Sequence, residues 1–282
     1  MISDNQTNTI YFSELLKSDE KYSAIYKEIE SKLAASEIAP KLLPKTKDIW
    51  ARDYMPIQVK DKKYIEFRYD PDYLQGNYKT QIGIKTYPDI VCDAINLKTI
   101  KTDVVLDGGN VVKSSNAVIL TDKVITENKH HYNKTNLIKE LKDIFDVEKI
   151  ILIPQDPEDP YGHSDGMVRF IDENRVLLNG FYLAYPSFAK SIEDSLRTKG
   201  LTPEWLKFRK QTKDKRRWAY INFLQTKDII LLPKFGIDED VEAIKQLEEH
   251  YPEYRNRIIQ IQMDAVISKG GALNCISWTT KE

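Results

Sequence analysis

Apolar and polar positions follow a repeated plan along the chain: a strand-like run, a short polar turn and a second strand-like run. The runs are rich in β-branched or aromatic residues and lie between turn-forming residues, which is typical of β-hairpins. The predicted strand pairs are Trp50–Val59 with Tyr64–Tyr69, Asn110–Val112 with Ala117–Leu120, Met167–Ile171 with Val176–Leu178, and Tyr220–Leu224 with Ile229–Leu232.

Between the hairpins, apolar residues recur at the spacing of amphipathic helices. The clearest example is Lys134–Phe145, which begins directly after Asn133. The alternation of hairpins with helices indicates an α/β architecture. The other predicted helices are Ser13–Ala35, Pro88–Leu97, Phe188–Leu196 and Asp238–Tyr251.

The strand-like run at the C-terminal end of the chain has no later run with which to pair. We expect Thr9–Phe12 to pair with it, because this pairing closes a ring and covers an exposed sheet edge. The prolines and glycines are dispersed at turns and form no linker. A single domain over residues 1–282 is therefore expected.

The composition limits the partners of the protein. Apolar residues make up 41% of the chain, which is enough for a substantial core. The 42 basic and 43 acidic residues nearly balance, so a nucleic-acid partner is not expected. The basic run within 204–217 is interpreted as a solvated face and not as a binding patch.

The sequence also predicts the environment of the protein. No run approaches the roughly 20 apolar residues of a membrane span, and the first residues do not resemble a signal peptide. We therefore expect a cytoplasmic protein without a membrane partner. A homo-oligomer is compatible with the sequence, which does not determine the number of subunits.

The chain contains two cysteines, too few for a disulfide framework. Cys92 lies in an apolar helical stripe and is interpreted as a small buried hydrophobic residue. Cys275 follows the Gly270-Gly271 pair and is the candidate for a reactive thiol. The four histidines and two cysteines do not show metal-ligand spacing, so neither a metal ion nor a cofactor is expected.

Candidate catalytic residues recur at nearly equal intervals. Asp107 follows Asp53 by 54 residues, His163 follows Asp107 by 56, and Cys275 follows His163 by 112, which is twice 56. This period divides a chain of 282 residues into about five units, as in propeller-like arrays. The period has one vacant slot between His163 and Cys275. It falls near residue 219, where another strand-like run begins without a candidate catalytic residue.

Several short motifs resemble the agmatine deiminase and bacterial peptidylarginine deiminase family, within the guanidino-group modifying (pentein) superfamily. They occur in family order and extend over nearly the whole chain. The resemblance implies the pentein fold, with five ββαβ-type blades around a pseudo-fivefold axis and a central site. The matching segments are Trp50–Pro56, Leu106–Asn110, Gly162–Asp165 with Arg169-Phe170, Tyr220–Phe223 and Gly270–Ser277.

The resemblance implies a catalytic role for five residues. Cys275 would attack the guanidino carbon as a thiolate, and His163 would act as general acid and then as general base. Asp53 and Asp165 would hold the planar cation through charge-assisted hydrogen bonds. Asp107 would orient His163.

Other residues are expected to support or line the substrate pocket. Besides Asp53 and Asp165, the predicted substrate-binding residues include Trp50, Asn110, Arg169 and Asn274. Asn222 is interpreted as a residue that stabilises a turn. A small substrate with a free amine would favour an acidic distal contact, for which Asp156, Glu158 and Asp159 are candidates.

Three positions depart from the pattern of the family. Asp107 stands where glutamate is usual, and Asn274 stands where agmatine deiminases usually have histidine before the cysteine. The segment Trp50–Pro56 also differs from the typical agmatine-enzyme pattern. These departures leave the guanidine chemistry in place and put the identity of the substrate in question.

The leading interpretation is a hydrolase that deiminates agmatine or a related small guanidine to a ureido product and ammonia. The alternatives are a deiminase of peptidyl-arginine or another arginine derivative, an amidinotransferase, and a non-catalytic binding module on the same fold.

Overall fold

The computed structural model describes residues 1–75, 83–208 and 219–282. Its strands, numbered in chain order, are β1 (Thr9–Ser13), β2 (Lys41–Leu43), β3 (Ile57–Lys60), β4 (Lys63–Arg68), β5 (Ile100–Val105), β6 (Val112–Lys113), β7 (Ala117–Thr121), β8 (Lys149–Ile153), β9 (Val168–Phe170), β10 (Arg175–Asn179), β11 (Thr202–Leu206), β12 (Leu224–Gln225), β13 (Ile230–Lys234), β14 (Ile258–Gln262) and β15 (Ser277–Thr280).

Helices connect the strands within each repeat. The described α-helices are Glu14–Ser18, Ser23–Ala34, Ala51–Tyr54, Pro88–Ala94, Lys123–Asn128, Lys134–Phe145, Pro186–Arg197, Glu239–His250 and Asp264–Ile267. The 3-10 helices with named bounds are Asp4–Gln6, Asp72–Leu74, Gly108–Asn110, Ser164–Gly166, Gly180–Ala184 and Pro252–Tyr254.

The strands form five three-stranded sheets in the described part of the chain. In each sheet an antiparallel pair is followed by a third strand that runs parallel to the middle one. A helix-bearing connection joins the middle strand to the third, as parallel pairing requires. The sheet orders are β15-β1-β2, β3-β4-β5, β6-β7-β8, β12-β13-β14 and β11-β10-β9. The predicted α/β architecture with five repeated blades is confirmed.

The first sheet joins the two ends of the chain. Strand β1 pairs antiparallel with β15, with Thr9 opposite Thr280 and Phe12 opposite Ser277. The predicted pairing of Thr9–Phe12 with the last strand is confirmed. Cys275 therefore lies directly before a strand that is held in place by the first strand of the chain.

The predicted hairpins are correct in place but wrong at their first strands. The segments that carry the motifs form short helical turns, at Ala51–Tyr54, Gly108–Asn110 and 219–221, and the strands begin after them. Pro56 lacks a backbone N–H, so it does not fit a paired strand interior, and β3 begins at Ile57.

The helix predicted over Ser13–Ala35 is interrupted. It forms Glu14–Ser18 and Ser23–Ala34, separated by a turn in which the Asp19 carboxylate accepts from the backbone N–H of Lys21. An aspartate that binds the backbone two residues on favours a turn over a continuous helix. The other predicted helices lie within three residues of the observed bounds.

The helix Lys134–Phe145 shows how the connections pack. The Asn133 side chain caps it by accepting from the N–H of Asn136. Leu137, Leu141 and Phe145 are buried in one core cluster with apolar residues of β7 and β8. Burial of each side chain contributes about 1.5–3 kcal/mol.

Other expectations from the sequence have mixed outcomes. Cys92 is buried in an apolar cluster, as expected. Most of the basic run lies at 209–217, outside the described residues. Within residues 1–75, 83–208 and 219–282, no helix has the length and apolar character needed to cross a bilayer.

Candidate active site

The motif turns bring the predicted catalytic side chains together at the centre of the five sheets. His163 and Cys275 both line the same two cavities, one of which includes Asp53 and the other Asp165. Asp107 is only 2% exposed and lies behind His163. Four segments that are distant in sequence therefore contribute to one buried cluster.

Two glycines allow the turns to approach this closely. A Cβ atom at Gly109 would lie 2.4 Å from His163 Nδ1 and 2.6 Å from Asp53 Oδ1. A Cβ atom at Gly271 would lie 2.1 Å from the Trp50 ring. Any larger residue would displace these side chains, so glycine at these positions serves packing at the site as well as turn formation.

His163 lies between two carboxylates. Its Nε2 atom is 3.1 Å from Asp107 Oδ2, and its Nδ1 atom is 3.7 Å from Asp53 Oδ1. Burial by itself lowers the pKa of His163, but Asp53 and Asp107 outweigh that effect and raise the pKa to about 10. The imidazole is therefore held as a cation at neutral pH.

The Asp53 carboxyl shows the opposite balance. Burial raises its pKa to about 8, against the lowering effect of the His163 cation and with further support from Asp107 and Asp165. Its Oδ1 atom is buried and accepts no hydrogen bond in the described residues. Asp53 must therefore lose a proton before it pairs with a cation that enters the cavity.

Asp107 has a second partner that the sequence did not suggest. The Tyr73 hydroxyl donates to Asp107 Oδ2 at 2.8 Å, the same oxygen that faces His163. The ammonium group of Lys123 lies 4.8 Å from the centre of the Tyr73 ring. Tyr73 therefore links the carboxylate to the wall of the cavity, and no local motif marks it in the sequence.

The Cys275 thiol lies beside Asp165 and Asn222. Its sulfur is 3.7 Å from Asp165 Oδ2 and 3.3 Å from Asn222 Oδ1. Burial raises the pKa of the thiol well above its usual value, and Asp165 and Asp53 raise it further. In the absence of a bound cation, Cys275 is held as the neutral thiol.

Asn222 does more than the predicted stabilisation of a local turn. Its Oδ1 atom accepts from the backbone N–H of Asn274 at 3.1 Å and from that of Cys275 at 3.3 Å. Its Nδ2 atom donates to the Asp165 carbonyl oxygen at 3.4 Å. The vacant slot of the sequence period thus carries a residue that joins two motif turns.

Arg169 and Asn274 lie beneath Cys275. Asn274 Nδ2 donates to Asp165 Oδ2 at 2.6 Å, and Arg169 Nη1 donates to Asn274 Oδ1 at 3.1 Å. Both side chains are almost fully buried. The structure places them as supports of Asp165 and of the Cys275 turn, and their predicted contact with substrate stays a prediction.

Asn110 and Trp50 are placed differently from each other. Asn110 is buried, and its Oδ1 atom accepts from the backbone N–H of Thr121, which fixes its turn against β7. Trp50 lines the cavity that contains Asp53 and packs on Gly271. Trp50 is therefore in position to contact a ligand, whereas Asn110 ties a motif turn to its sheet.

The two cavities share part of their walls, including Tyr161, His163, Gly270 and Cys275. The larger has a volume of about 680 Å³ and includes Trp50 and Asp53 in its wall. The smaller has a volume of about 290 Å³ and includes Asp165. Both reach Cys275, so a ligand can place one group at the sulfur and extend into either cavity.

The candidate distal acids all line the smaller cavity. Asp159 accepts from the backbone N–H groups of Gly162 and His163, so it supports the His163 turn. Asp156 accepts from the Tyr182 hydroxyl, and Glu158 is exposed. Of the three, Glu158 and Asp156 are the better placed to meet a cation at the far end of this cavity.

The described residues contain no group of three or more histidine, cysteine, aspartate or glutamate side chains arranged to hold a metal ion. The charged groups near Cys275 include carboxylates and the His163 imidazolium. Carboxylates in a water-poor cleft favour a flat cation with several N–H donors. The arrangement can hold such a cation against a sulfur nucleophile, with an acid nearby.

Comparisons with known proteins match the chain to a family model and to individual proteins of similar sequence. The model of the Porphyromonas-type peptidyl-arginine deiminase family matches residues 2–280. A Lactococcus lactis protein provisionally named agmatine deiminase is 24% identical over 222 residues, which cover 66% of this chain and 60% of that protein. The chain thus spans less than two thirds of the length of this relative.

Solved structures show the same fold. The agmatine deiminase of C. jejuni superposes with a TM-score of 0.76 at 16% identity and covers 100% of this chain and 95% of its own. The agmatine deiminase of Enterococcus faecalis gives a TM-score of 0.75 at 17% identity, with the same coverage. These likenesses confirm the predicted five-bladed fold.

Proposed function

The chain belongs to the Porphyromonas-type peptidyl-arginine deiminase family, and from this membership we propose that it hydrolyses a guanidino group to a ureido group and ammonia. The observation that carries the proposal is the convergence of Cys275, His163, Asp53 and Asp165 on two cavities that share part of their walls. A cysteine with this company is suited to attack a bound guanidinium carbon.

Binding of the substrate prepares the nucleophile. Asp53 and Asp165 accept hydrogen bonds from the guanidinium N–H groups, and the positive charge lowers the pKa of the Asp53 carboxyl and of the Cys275 thiol. Both groups have raised pKa values because they are buried near other acids. The bound cation thus promotes the loss of the Asp53 and Cys275 protons.

In the first chemical step, Cys275 Sγ forms a bond to the guanidino carbon and gives a tetrahedral adduct. The His163 cation donates a proton to the departing nitrogen, the carbon–nitrogen bond breaks, and ammonia leaves. The carbon remains attached to sulfur as a thiouronium group. His163 is then neutral.

In the second step, neutral His163 takes a proton from water, and the oxygen attacks the thiouronium carbon. The carbon–sulfur bond breaks, and sulfur leaves with the electron pair. The hydroxyl oxygen then gives up its remaining proton as the carbon–oxygen double bond of the ureido product forms, and ammonia takes up that proton as ammonium. Asp107 keeps the imidazole directed at the reaction throughout, because it is hydrogen-bonded to Nε2. The sum is guanidinium plus water to urea and ammonium.

The substrate proposed is a small guanidine that carries a second positive group. Asp156 and Glu158 line the smaller cavity next to Asp165 and Cys275. A ligand with its guanidinium at Cys275 and an amine in this cavity would complement both acidic ends. Agmatine has this chemistry, and peptidyl-arginine lacks the terminal amine.

Release of ammonia from agmatine, arginine and a blocked arginine peptide tests the proposal. We expect ammonia from agmatine above the other two, and none from the Cys275→Ala variant, whose thermal stability serves as the control for folding. Equal inactivity of the wild type on all three substrates would overturn the proposed function. A preference for the blocked peptide would retain the chemistry and overturn the proposed substrate.

Incubation with arginine and acceptor amines separates hydrolysis from amidinotransfer. Both reactions pass through the same sulfur-bound intermediate, so the product decides between them. A ureido product with ammonia supports the proposal. A new guanidine formed from the acceptor amine would overturn it in favour of transfer.

A further inference from the structure

Three cationic side chains lie buried near the Cys275 turn and line neither of the two cavities. Arg52, Lys113 and Arg169 are 7%, 6% and 3% exposed. We call them the axial cations. Buried cations are costly unless anions or hydrogen-bond acceptors compensate them.

The anion among the axial cations is Asp4, which the N-terminal 3-10 helix Asp4–Gln6 supplies. Lys113 Nζ lies 3.3 Å from Asp4 Oδ1, and Arg169 Nη2 lies 3.3 Å from Asp4 Oδ2. Burial alone raises the pKa of the Asp4 carboxyl, but Lys113, Arg169 and Arg52 outweigh it and hold the pKa at about 2. Asp4 is therefore ionised throughout the neutral range.

The axial cations also hold Asn274, the residue before the nucleophile. Arg169 Nη1 donates to its side-chain oxygen at 3.1 Å, and Arg52 Nε donates to its backbone oxygen at 3.4 Å. Asn274 in turn donates to Asp165 Oδ2, which lies 3.7 Å from the Cys275 sulfur. A continuous chain of polar contacts thus runs from Asp4 to Asp165.

Arg169 has further partners that do not depend on Asp4. Its Nη2 atom donates to the Phe223 carbonyl oxygen at 3.0 Å, and its guanidinium centre lies 4.7 Å from the centre of the Phe223 ring. Removal of Asp4 would therefore leave Arg169 in the interior with its charge uncompensated. It would not release Arg169 entirely.

We propose that the axial cations form an anion-binding site occupied by the chain's own Asp4 carboxylate, and that Asp4 thereby acts as a positioning residue for Asn274, Asp165 and Cys275. Asp4 does not touch the substrate cavities, so it acts through Arg169 and Asn274. The position of the N-terminal turn is thereby coupled to the geometry of the reacting groups.

Space next to Asp4 makes the proposal testable by chemical rescue. A cavity of about 30 Å³ is lined by Asp4, Asn5, Lys113 and Arg169, among other residues. Among the described residues, its wall shares none with the two cavities at Cys275. The Asp4→Ala change removes a carboxylate group whose shape and charge formate reproduces.

The first readout is the activity of Asp4→Ala with and without sodium formate, against sodium chloride at equal ionic strength. We expect kcat to fall by about 10- to 100-fold, as for a small displacement of reacting groups, with KM little changed. Formate should restore kcat severalfold and leave the wild type unaffected. Asp61→Ala, which removes an exposed aspartate in the turn between β3 and β4, is the matched control and should keep wild-type kcat.

The second readout does not require activity, because the proposal rests on the proposed function only for its kinetics. Asp4→Ala should lower the melting temperature by about 10 °C, since it leaves buried cations without their anion. Formate should raise the melting temperature of Asp4→Ala and not that of the wild type or Asp61→Ala. A formate-dependent shift in a chain without deiminase activity would support the anion site and overturn the proposed function alone.

The isosteric variant Asp4→Asn provides the last measurement of the test. It fills the site with a neutral amide, so kcat should fall and formate should not restore it. Wild-type kcat in both Asp4→Asn and Asp4→Ala, or a loss in Asp4→Ala that formate leaves unchanged in both readouts, would overturn the proposal. If Asp4→Ala does not fold in either salt, the kcat of Asp4→Asn decides: a wild-type value overturns the proposal, and a reduced value with unchanged KM supports it.

Discussion

The two sides of the Cys275 turn have opposite charge patterns. On the cavity side, three carboxylates surround one imidazolium, whereas on the axial side three cations surround one carboxylate. The cavity side has space for a ligand beside Asp53, whereas on the axial side the chain's own Asp4 carboxylate contacts the cations and a cavity of only about 30 Å³ lies next to it. The cavity side is therefore arranged to bind an external cation, whereas the axial side holds the protein's own residues in place.

The largest expected effect comes from removing the His163 imidazolium, which lines both cavities together with Cys275. His163→Ala should lower kcat between about 10²- and 10⁴-fold, because both proton transfers lose their acid and base. Ammonia release from agmatine measures it. His130→Ala, at an exposed position, is the control and should have wild-type activity.

Retention of more than about a tenth of the wild-type kcat in His163→Ala would contradict this role, since general acid–base catalysis contributes at least about 10²-fold. The charge difference between the two sides would then contribute to substrate binding and not to proton transfer.

The next effect is the pH dependence of substrate capture. The Asp53 carboxyl has a pKa raised to about 8, so it is protonated below that pH and must lose its proton to pair with a cation. We expect kcat/KM to rise about tenfold per pH unit up to about pH 8. In Asp53→Asn this rising limb should disappear from whatever activity remains, and an unchanged limb would assign it to another group.

Stability should respond to pH in opposite ways on the two sides. The pKa of Asp4 is lowered from 3.8 to about 2, so its stabilisation is present above pH 4 and is lost as the pH falls through about 2. The pKa of His163 is raised from 6.5 to about 10, so its stabilisation is present below pH 6.5 and is lost as the pH rises through about 10.

Chemical denaturation at several pH values measures this contrast. For Asp4 the contribution to the free energy of unfolding is about 2 kcal/mol. Asp4→Asn should lose the decline in the acid range and keep that in the alkaline range, whereas His163→Ala should do the reverse. If both variants keep both declines, other groups control the pH dependence.

The smallest effect is expected at Tyr73. Tyr73→Phe removes one hydrogen bond to Asp107 and leaves His163 its partner. We expect a severalfold loss of kcat and a loss of about 0.5–1.5 kcal/mol in the free energy of unfolding. Ammonia release and urea denaturation measure the two, with Tyr132→Phe as the matched control. Wild-type kcat in Tyr73→Phe would show that His163 alone fixes Asp107.

The fold was largely predictable because it repeats. The spacing of Asp53, Asp107, His163 and Cys275 gave the number of blades before any contact was known. The helices were predictable because their apolar faces have a strong period. The first motif strand was misassigned at its start because Pro56 cannot donate within a paired strand, and the residues before it form a helical turn.

The site was predictable only where a residue belongs to a motif. Tyr73 reaches Asp107 from a segment without repeat spacing, and Asp4 is one acid in a polar stretch. Their roles depend on which residues fold against them, which local patterns do not contain. Asn222 is intermediate, because the vacant slot of the period marked its place but not its hydrogen bonds to the Cys275 turn.

The pairing of β1 with β15 has a consequence for biosynthesis. While the protein is being translated, β1 leaves the ribosome before β15 and cannot pair with it until β15 has been synthesised. The nucleophile, two residues before β15, takes its place only when the ring closes. A nascent chain can thus complete four of the five sheets before its catalytic residues are assembled.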